Sequence, residues 1–231
     1  MMKRIQGAPA GWRKPHLALV YRMARRRLRK LAENQTDRAI EPLEVYGHIP
    51  RLLFGFGMFV DVSEKQSHVD RRLKRLAAVK TATLVHCEHC IDVGSSMARR
   101  SGLRDEQLLA LPRYRASDQF SDLEKLVLDY AVAMTRTPVE VSDELFAALR
   151  EHFEDRQLVE LTSAIAIQNL VARFNVPFGI GAAGFTEGMV CAVPEPVESS
   201  EQNSSPQAAQ AREPSLPDEP APDRAAAPSA S

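Results

Sequence analysis

No part of this chain alternates apolar and polar residues at the period of a strand and then turns as a hairpin, so nothing in it builds a β-sandwich or barrel. Apolar runs of membrane-spanning length are missing too. The longest candidates, 52–60 and 159–171, are broken by glycine or polar residues. Cysteine is scarce, with only Cys87, Cys90 and Cys191 in 231 residues, and that odd count does not read as a secreted disulfide framework. The stretch Leu17-Ala18-Leu19-Val20 is too short for a signal-peptide core, which makes a reducing, cytoplasmic setting the expectation. No convincing internal repeat occurs. Net charge is zero, thirty basic against thirty acidic residues, but the two signs are separated along the chain. Residues 1–30 carry ten Lys or Arg and no acid, whereas 194–231 carry seven acids and two Arg.

What the chain does have is helical period. Leu17, Val20, Tyr21, Ala24, Leu28 and Leu31 form an apolar stripe backed by an arginine-rich face. Val69, Leu73, Leu76 and Ala77 open a second long helix, with Ser67 and Asp70 placed to cap it. Leu123, Leu126, Val127, Tyr130, Ala131 and Met134 mark a third, opened by the capping box from Ser121 to Glu124. Leu145, Phe146, Leu149 and Phe153 mark a shorter one that Ser142 can cap, and 156–175 are apolar nearly all round, as a central buried helix would be. The glycine-containing apolar segment 52–60 reads as a core helix. Pro50, Pro112, Pro138 and Pro177 punctuate these elements. The expected fold class is all-α.

Composition changes near the C-terminus. Eight of the fifteen prolines lie from Pro194 onward, among Ala, Ser, Glu and Gln. Such a segment cannot bury enough apolar surface to offset its ordering entropy. Three parts are expected: a basic amphipathic helix over 1–36, a helical domain over 37–188 that closes near Gly188, and a disordered tail over 189–231.

The densest chemistry is His86-Cys87-Glu88-His89-Cys90-Ile91-Asp92, between the helix opened by Val69 and another that runs to Arg100 and stops at Gly102. Two cysteines three apart at a helix start have a specific use. The backbone N–H groups and the helix dipole stabilise a thiolate, and the spacing lets the second sulfur close a disulfide. A thiolate oxidised by peroxide or by a disulfide can then be resolved by its neighbour, with His89 or His86 moving protons. Two other readings stay open: an inert buried pair, and zinc held by His86, Cys87, His89 and Cys90 without a second C-x-x-C to complete the site.

The run Arg71-Arg72-Leu73-Lys74-Arg75-Leu76-Ala77, then Cys87-Glu88-His89-Cys90-Ile91-Asp92, then Leu103-x-x-Glu106-Gln107-Leu108, resembles the carboxymuconolactone decarboxylase family, its alkylhydroperoxidase D-like branch above all. The helix with Glu124 to Tyr130 and the segment 169–179 resemble it as well, so the likeness spans roughly 40–187. It implies an all-helical subunit that forms a trimer or hexamer and reduces peroxides with electrons from a dithiol donor, without a bound cofactor. It also implies that Cys90 attacks the peroxide, Cys87 resolves, and His89 belongs to a proton relay. Two relay positions differ: Arg75 stands where the family has a glutamate, and Gly94 where it has a histidine. Arg75 can instead stabilise a thiolate by its charge, and His89, Glu88 or Asp92 can take over part of the relay. The alternatives are a non-catalytic family member serving as an oligomeric binding or stress-response scaffold, and the decarboxylation of a lactone acid, which depends on those same polar positions.

Among the other polar residues, His48 is expected to be satisfied or exposed. Asn169 and Asn175 are expected to bond backbone at a subunit interface rather than to line the site, and Cys191 to be an exposed free thiol. The basic N-terminal helix is expected to dock by its leucine stripe. Neither nucleic acid nor membrane is expected as a partner, while Arg25-Arg26-Arg27 leaves an anionic partner open.

Overall fold

A computed structural model describes residues 3–10, 15–29 and 37–196. Among them the chain forms nine α-helices, two 3-10 turns and no strand, so the all-α expectation holds. The helices are α1 (Pro15–Leu28), α2 (Glu41–Tyr46), α3 (Pro50–Glu64), α4 (Arg71–Leu84), α5 (Glu88–Arg100), α6 (Asp105–Ala110), α7 (Asp122–Thr135), α8 (Asp143–Arg150) and α9 (Asp155–Phe178).

Helix α4 is the hub, packed against α5, α7 and α9. Its apolar positions face two ways. Leu76, Val79 and Ala82 join a cluster with Cys87, Cys90, Ile91 and Leu128, while Ala77 and Leu73 join Val127, Leu161 and Ile165. A fully buried leucine such as Leu76 or Leu161 contributes about 2 kcal/mol by burial, so α4 ties both halves of the core together. The helix starts follow the expected chemistry. Asp70 caps α4 through the Arg72 N–H, Ser121 and Glu124 complete their capping box on α7, and Ser142 caps α8.

Helix α1 buries Leu17 and Tyr21 against Ile40, Tyr46 and Leu53, so the leucine stripe docks the arm as expected. Leu31, at the end of that stripe, lies outside the described residues, as does the tail over 197–231. Part of the arginine face is used internally: Arg25 pairs with Glu44 and Arg27 with Asp61, each at 3.1 Å.

Three expectations need correction. The segment 52–60 is helical but not core: only Leu53 of α3 is buried, and Phe54 is 70% exposed, with Met58, Phe59 and Val62 also exposed. Helix α9 is not buried all round either, since Val159 is 66% exposed and Leu170 also faces outward. Apolar density marks a face that needs covering, and among the described residues nothing covers this one. Finally, the ordered chain does not close at Gly188. Residues 189–196 strap back over the core, where Ala192 donates to the Ser95 hydroxyl at 3.0 Å and the Glu195 carboxylate reaches the buried Lys80 ammonium at 2.5 Å. A proline-rich composition hid this strap because its anchors are single polar contacts rather than an apolar pattern.

Candidate functional site

The turn that presents the cysteines is built from two overlapping helix ends. Helix α4 finishes in a Schellman motif: the Cys87 N–H donates to the Ala82 carbonyl at 3.1 Å and the His86 N–H to Thr83 at 3.3 Å. The residue between must be left-handed, and His86 takes φ 57° where glycine is usual. Cys87 then caps α5, its sulfur accepting the Cys90 N–H at 3.3 Å. One residue thus ends a helix and begins the next, which fixes the first sulfur at the positive end of the α5 dipole. Cys90 follows one turn on, and the two are joined as a disulfide with Cα atoms 5.2 Å apart.

Both cysteines are buried, and Cys90 at 6% is the more exposed residue against 1% for Cys87. Around them stand Ala82, Ala172, Val171 and Val176. Among the described residues, the side-chain donor at the sulfurs is Asn175, in the last turn of α9. Its Nδ2 lies 3.5 Å from Cys90 Sγ and 3.8 Å from Cys87 Sγ. Asn175 is fully buried, and its Oδ1 has no partner. This corrects the expectation that Asn175 bonds backbone at an interface. Asn169 does bond backbone, but within the chain, donating to Ile165 O at 3.2 Å and to the Thr135 hydroxyl at 3.1 Å. A polar residue in an apolar helix, in the turn before Pro177, was the available sign for Asn175. Its rotation toward the sulfurs was not readable from the sequence.

His89 is buried, its Nδ1 3.3 Å from the Gly181 carbonyl. A carbonyl only accepts, so Nδ1 carries the proton and Nε2 keeps its lone pair. Burial lowers the His89 pKa from its ordinary 6.5, opposed by the Gly181 bond and by Asp92, so the ring is neutral at neutral pH. Asp92, one turn further along α5, is saturated. Its carboxylate accepts from the backbone of Ala183, Phe185 and Thr186 at 2.7, 3.1 and 2.7 Å, and from the Thr186 hydroxyl at 2.6 Å. It therefore holds the loop that carries Gly181 and is not free to relay protons. Glu88 and the His86 side chain stand exposed at the turn.

The structure joins Cys87 and Cys90, sets His89 on the same turn of α5 with its ring bonded to Gly181, and places Arg75 elsewhere. Arg75 makes a two-point ion pair with Glu64 at the end of α3, and both line a cleft of about 530 Å³ between α3, α4 and α9. Neither cysteine lines that cleft. Nearby, Lys74 pairs with Glu160, whose other oxygen accepts His68 N–H at 2.8 Å and Val69 N–H at 3.2 Å. Burial alone raises the Glu160 carboxyl, but Lys74 and the two backbone donors outweigh it and hold it below 4.5. Gly94 lies where α5 packs closely on α4: a Cβ there would meet Val79 Cγ2 at 3.2 Å, a tight contact to which Val79 would have to yield.

His48 is exposed, with its Nε2 2.9 Å from Gln6 O. Cys191 is half-buried rather than exposed, 3.6 Å from the Ser95 hydroxyl. Among the described residues, no three His, Cys, Asp or Glu side chains gather as metal ligands, and no helix is long and apolar enough to cross a membrane.

The sequence profile of the carboxymuconolactone decarboxylase family matches residues 49–133. The uncharacterised protein YnjA of Escherichia coli is 39% identical over 158 residues, covering 68% of this chain and 84% of YnjA. Among solved structures, an uncharacterised peroxidase-related protein of Ralstonia eutropha with an alkylhydroperoxidase AhpD core superposes with a TM-score of 0.63 at 19% identity, covering 84% of this chain and 99% of that one. The debrominase Bmp8, solved as a C82A variant with 2,3,4-tribromopyrrole, gives 0.63 at 19% identity, covering 77% of this chain and 92% of Bmp8. At these identities the likeness to the solved structures is one of fold.

Proposed function

This chain belongs to the carboxymuconolactone decarboxylase family, and from that premise we propose that it is a thiol-dependent oxidoreductase that reduces peroxides, or disulfides, through Cys87 and Cys90. The observation that carries this reading is the disulfide at the start of α5, with Cys87 as the helix cap and Cys90 as the more exposed residue.

The cycle follows from that geometry. The Cys90 thiolate attacks a peroxide oxygen, an S–O bond forms, the O–O bond breaks, and the departing alkoxide takes a proton to become the alcohol. The Cys87 sulfur then displaces water from the Cys90 sulfenic acid and closes the disulfide. A donor dithiol restores the pair by attacking the Cys90 sulfur and expelling Cys87, which leaves as a thiolate capping α5. The sum is ROOH plus a dithiol giving ROH, water and a disulfide. His89, neutral with Nε2 unprotonated, accepts the Cys90 proton and returns it to the leaving oxygen. The cycle needs no bound cofactor, and a reducing compartment, the cytoplasm, supplies the donor. Arg75, neutralised by Glu64, has no part in it.

Mass mapping of the reduced protein after mild peroxide tests the reading. Fast formation of an intramolecular Cys87–Cys90 disulfide, reversed by a dithiol and absent in Cys90→Ser, is the expected result. A pair that stays reduced would overturn it. A second reading, an oligomeric binding scaffold, draws on the exposed apolar face of α3 and α9. It expects unchanged biological output when both cysteines become serine, and the same face serves homo-oligomer assembly under either reading.

A further inference from the structure

One backbone donor reaches a sulfur: the Cys90 N–H, which goes to Cys87. Cys90 is the third residue of α5, and the capping hydrogen bond serves the Cys87 sulfur rather than its own. Two helix C-termini also converge on the pair: α4 ends at it, and Asn175 sits four residues before the left-handed Gly179 that closes α9. Helix C-termini carry partial negative charge and oppose a thiolate. Among the described residues, the hydrogen bonds to the sulfurs come from the Cys90 N–H and from Asn175. A side-chain donor for Cys90 does come from across the core: Asn175 Nδ2 stands 3.5 Å from its sulfur.

We infer that Asn175 is a catalytic residue of the thiol pair: its side-chain N–H holds the Cys90 sulfur as a thiolate, and its buried, unpartnered Oδ1 accepts the S–H that remains on Cys87. The amide carries both N–H donors and a carbonyl acceptor, so it can serve a thiolate beside a thiol, which matches a pair with one proton removed. Loss of that proton from Cys90 breaks its S–H bond and releases the proton to His89 or solvent, with no change of oxidation state. When the disulfide is later reduced, the same N–H, 3.8 Å from Cys87, assists departure of that sulfur as well. A buried neutral donor does this without the desolvation cost of a buried cation.

The inference rests on the redox reading of the pair, and thiol acidity separates the two because it is measured without peroxide. The experiment is the rate of iodoacetamide capping of Cys90 against pH, located by peptide mass mapping, in the full reduced chain and in Asn175→Ala and Asn175→Asp. Asn175→Ala is expected to slow capping at pH 7 about tenfold and to move the profile to higher pH by about one unit. Asn175→Asp, which replaces the donor by an anion, should slow it further, with all three rates converging at high pH. A purely structural role would lower the melting temperature and leave the profile in place, and superposed profiles overturn the inference. If neither variant folds, the side-chain NH2 resonances of Asn175 in the unaltered chain decide: they must move with the Cys90 titration, and resonances that stay fixed overturn it. A profile that shifts in a protein inert to peroxide keeps the role of Asn175 and defeats the peroxidase reading.

Discussion

Two polar regions beside α4 handle charge in opposite ways. At the cleft between α3, α4 and α9, each acid has a cation: Glu64 with Arg75 and Glu160 with Lys74. At the sulfurs, among the described residues, the hydrogen-bond donors are neutral: a backbone N–H and an asparagine amide. The contrast teaches that charge is spent on holding elements together, while the reacting atoms are surrounded by neutral dipoles. A buried dipole tunes a thiol without demanding a counter-ion.

The largest effect that sharpens this contrast is at Cys87. Cys87→Ser is expected to abolish turnover while leaving the first attack intact, so dimedone should trap Cys90 as a sulfenic acid after one equivalent of peroxide. Next comes the cleft. Glu160→Gln leaves the Lys74 ammonium with only the Gln66 carbonyl and weakens the hold on His68 and Val69, and a loss of about 3 kcal/mol in urea unfolding is expected with unchanged Cys90 capping. A shifted capping profile would break the division between the regions.

A smaller effect concerns pH. Because folding lowers the His89 pKa, the unfolded chain binds its proton first as pH falls below 6.5. Stability from this residue is therefore complete above 6.5 and declines below it, so the urea midpoint should fall between pH 7.5 and 5.5, with a shallower fall in His89→Asn. The smallest effect is at Arg75. Its pair with Glu64 sits at the surface, so Arg75→Ala should cost under about 1 kcal/mol and leave the Cys90 profile unmoved. A thiol made clearly less acidic by this change would show that Arg75 acts on the sulfurs by charge after all.

Much of this was legible beforehand, for reasons that are local. Capping at Asp70, Ser121 and Ser142 depends on residues within one turn, and the stripe through Leu17 and Tyr21 depends on helical period alone. What escaped depends on contacts across the chain. The left-handed turn at His86 carries no glycine to announce it. The strap over 189–196 is tied by Glu195 to Lys80, which lies 115 residues away in sequence. Period also fails where a helix is apolar on more than one face, as at Val159 and Leu170, because the pattern does not say which face the same chain covers.

The sequence by itself determined that the chain is helical, that Cys87 and Cys90 stand one turn apart at a helix start, and that His89 lies between them. Period, capping and spacing act over four residues and need no fold to be read. Only the tertiary structure decided what surrounds the sulfurs. It brought Asn175 from 85 residues beyond Cys90, took Arg75 away to Glu64, and saturated Asp92 with a loop. Those choices come from how α4, α5 and α9 pack, and packing is set by volumes and buried partners that no local pattern encodes.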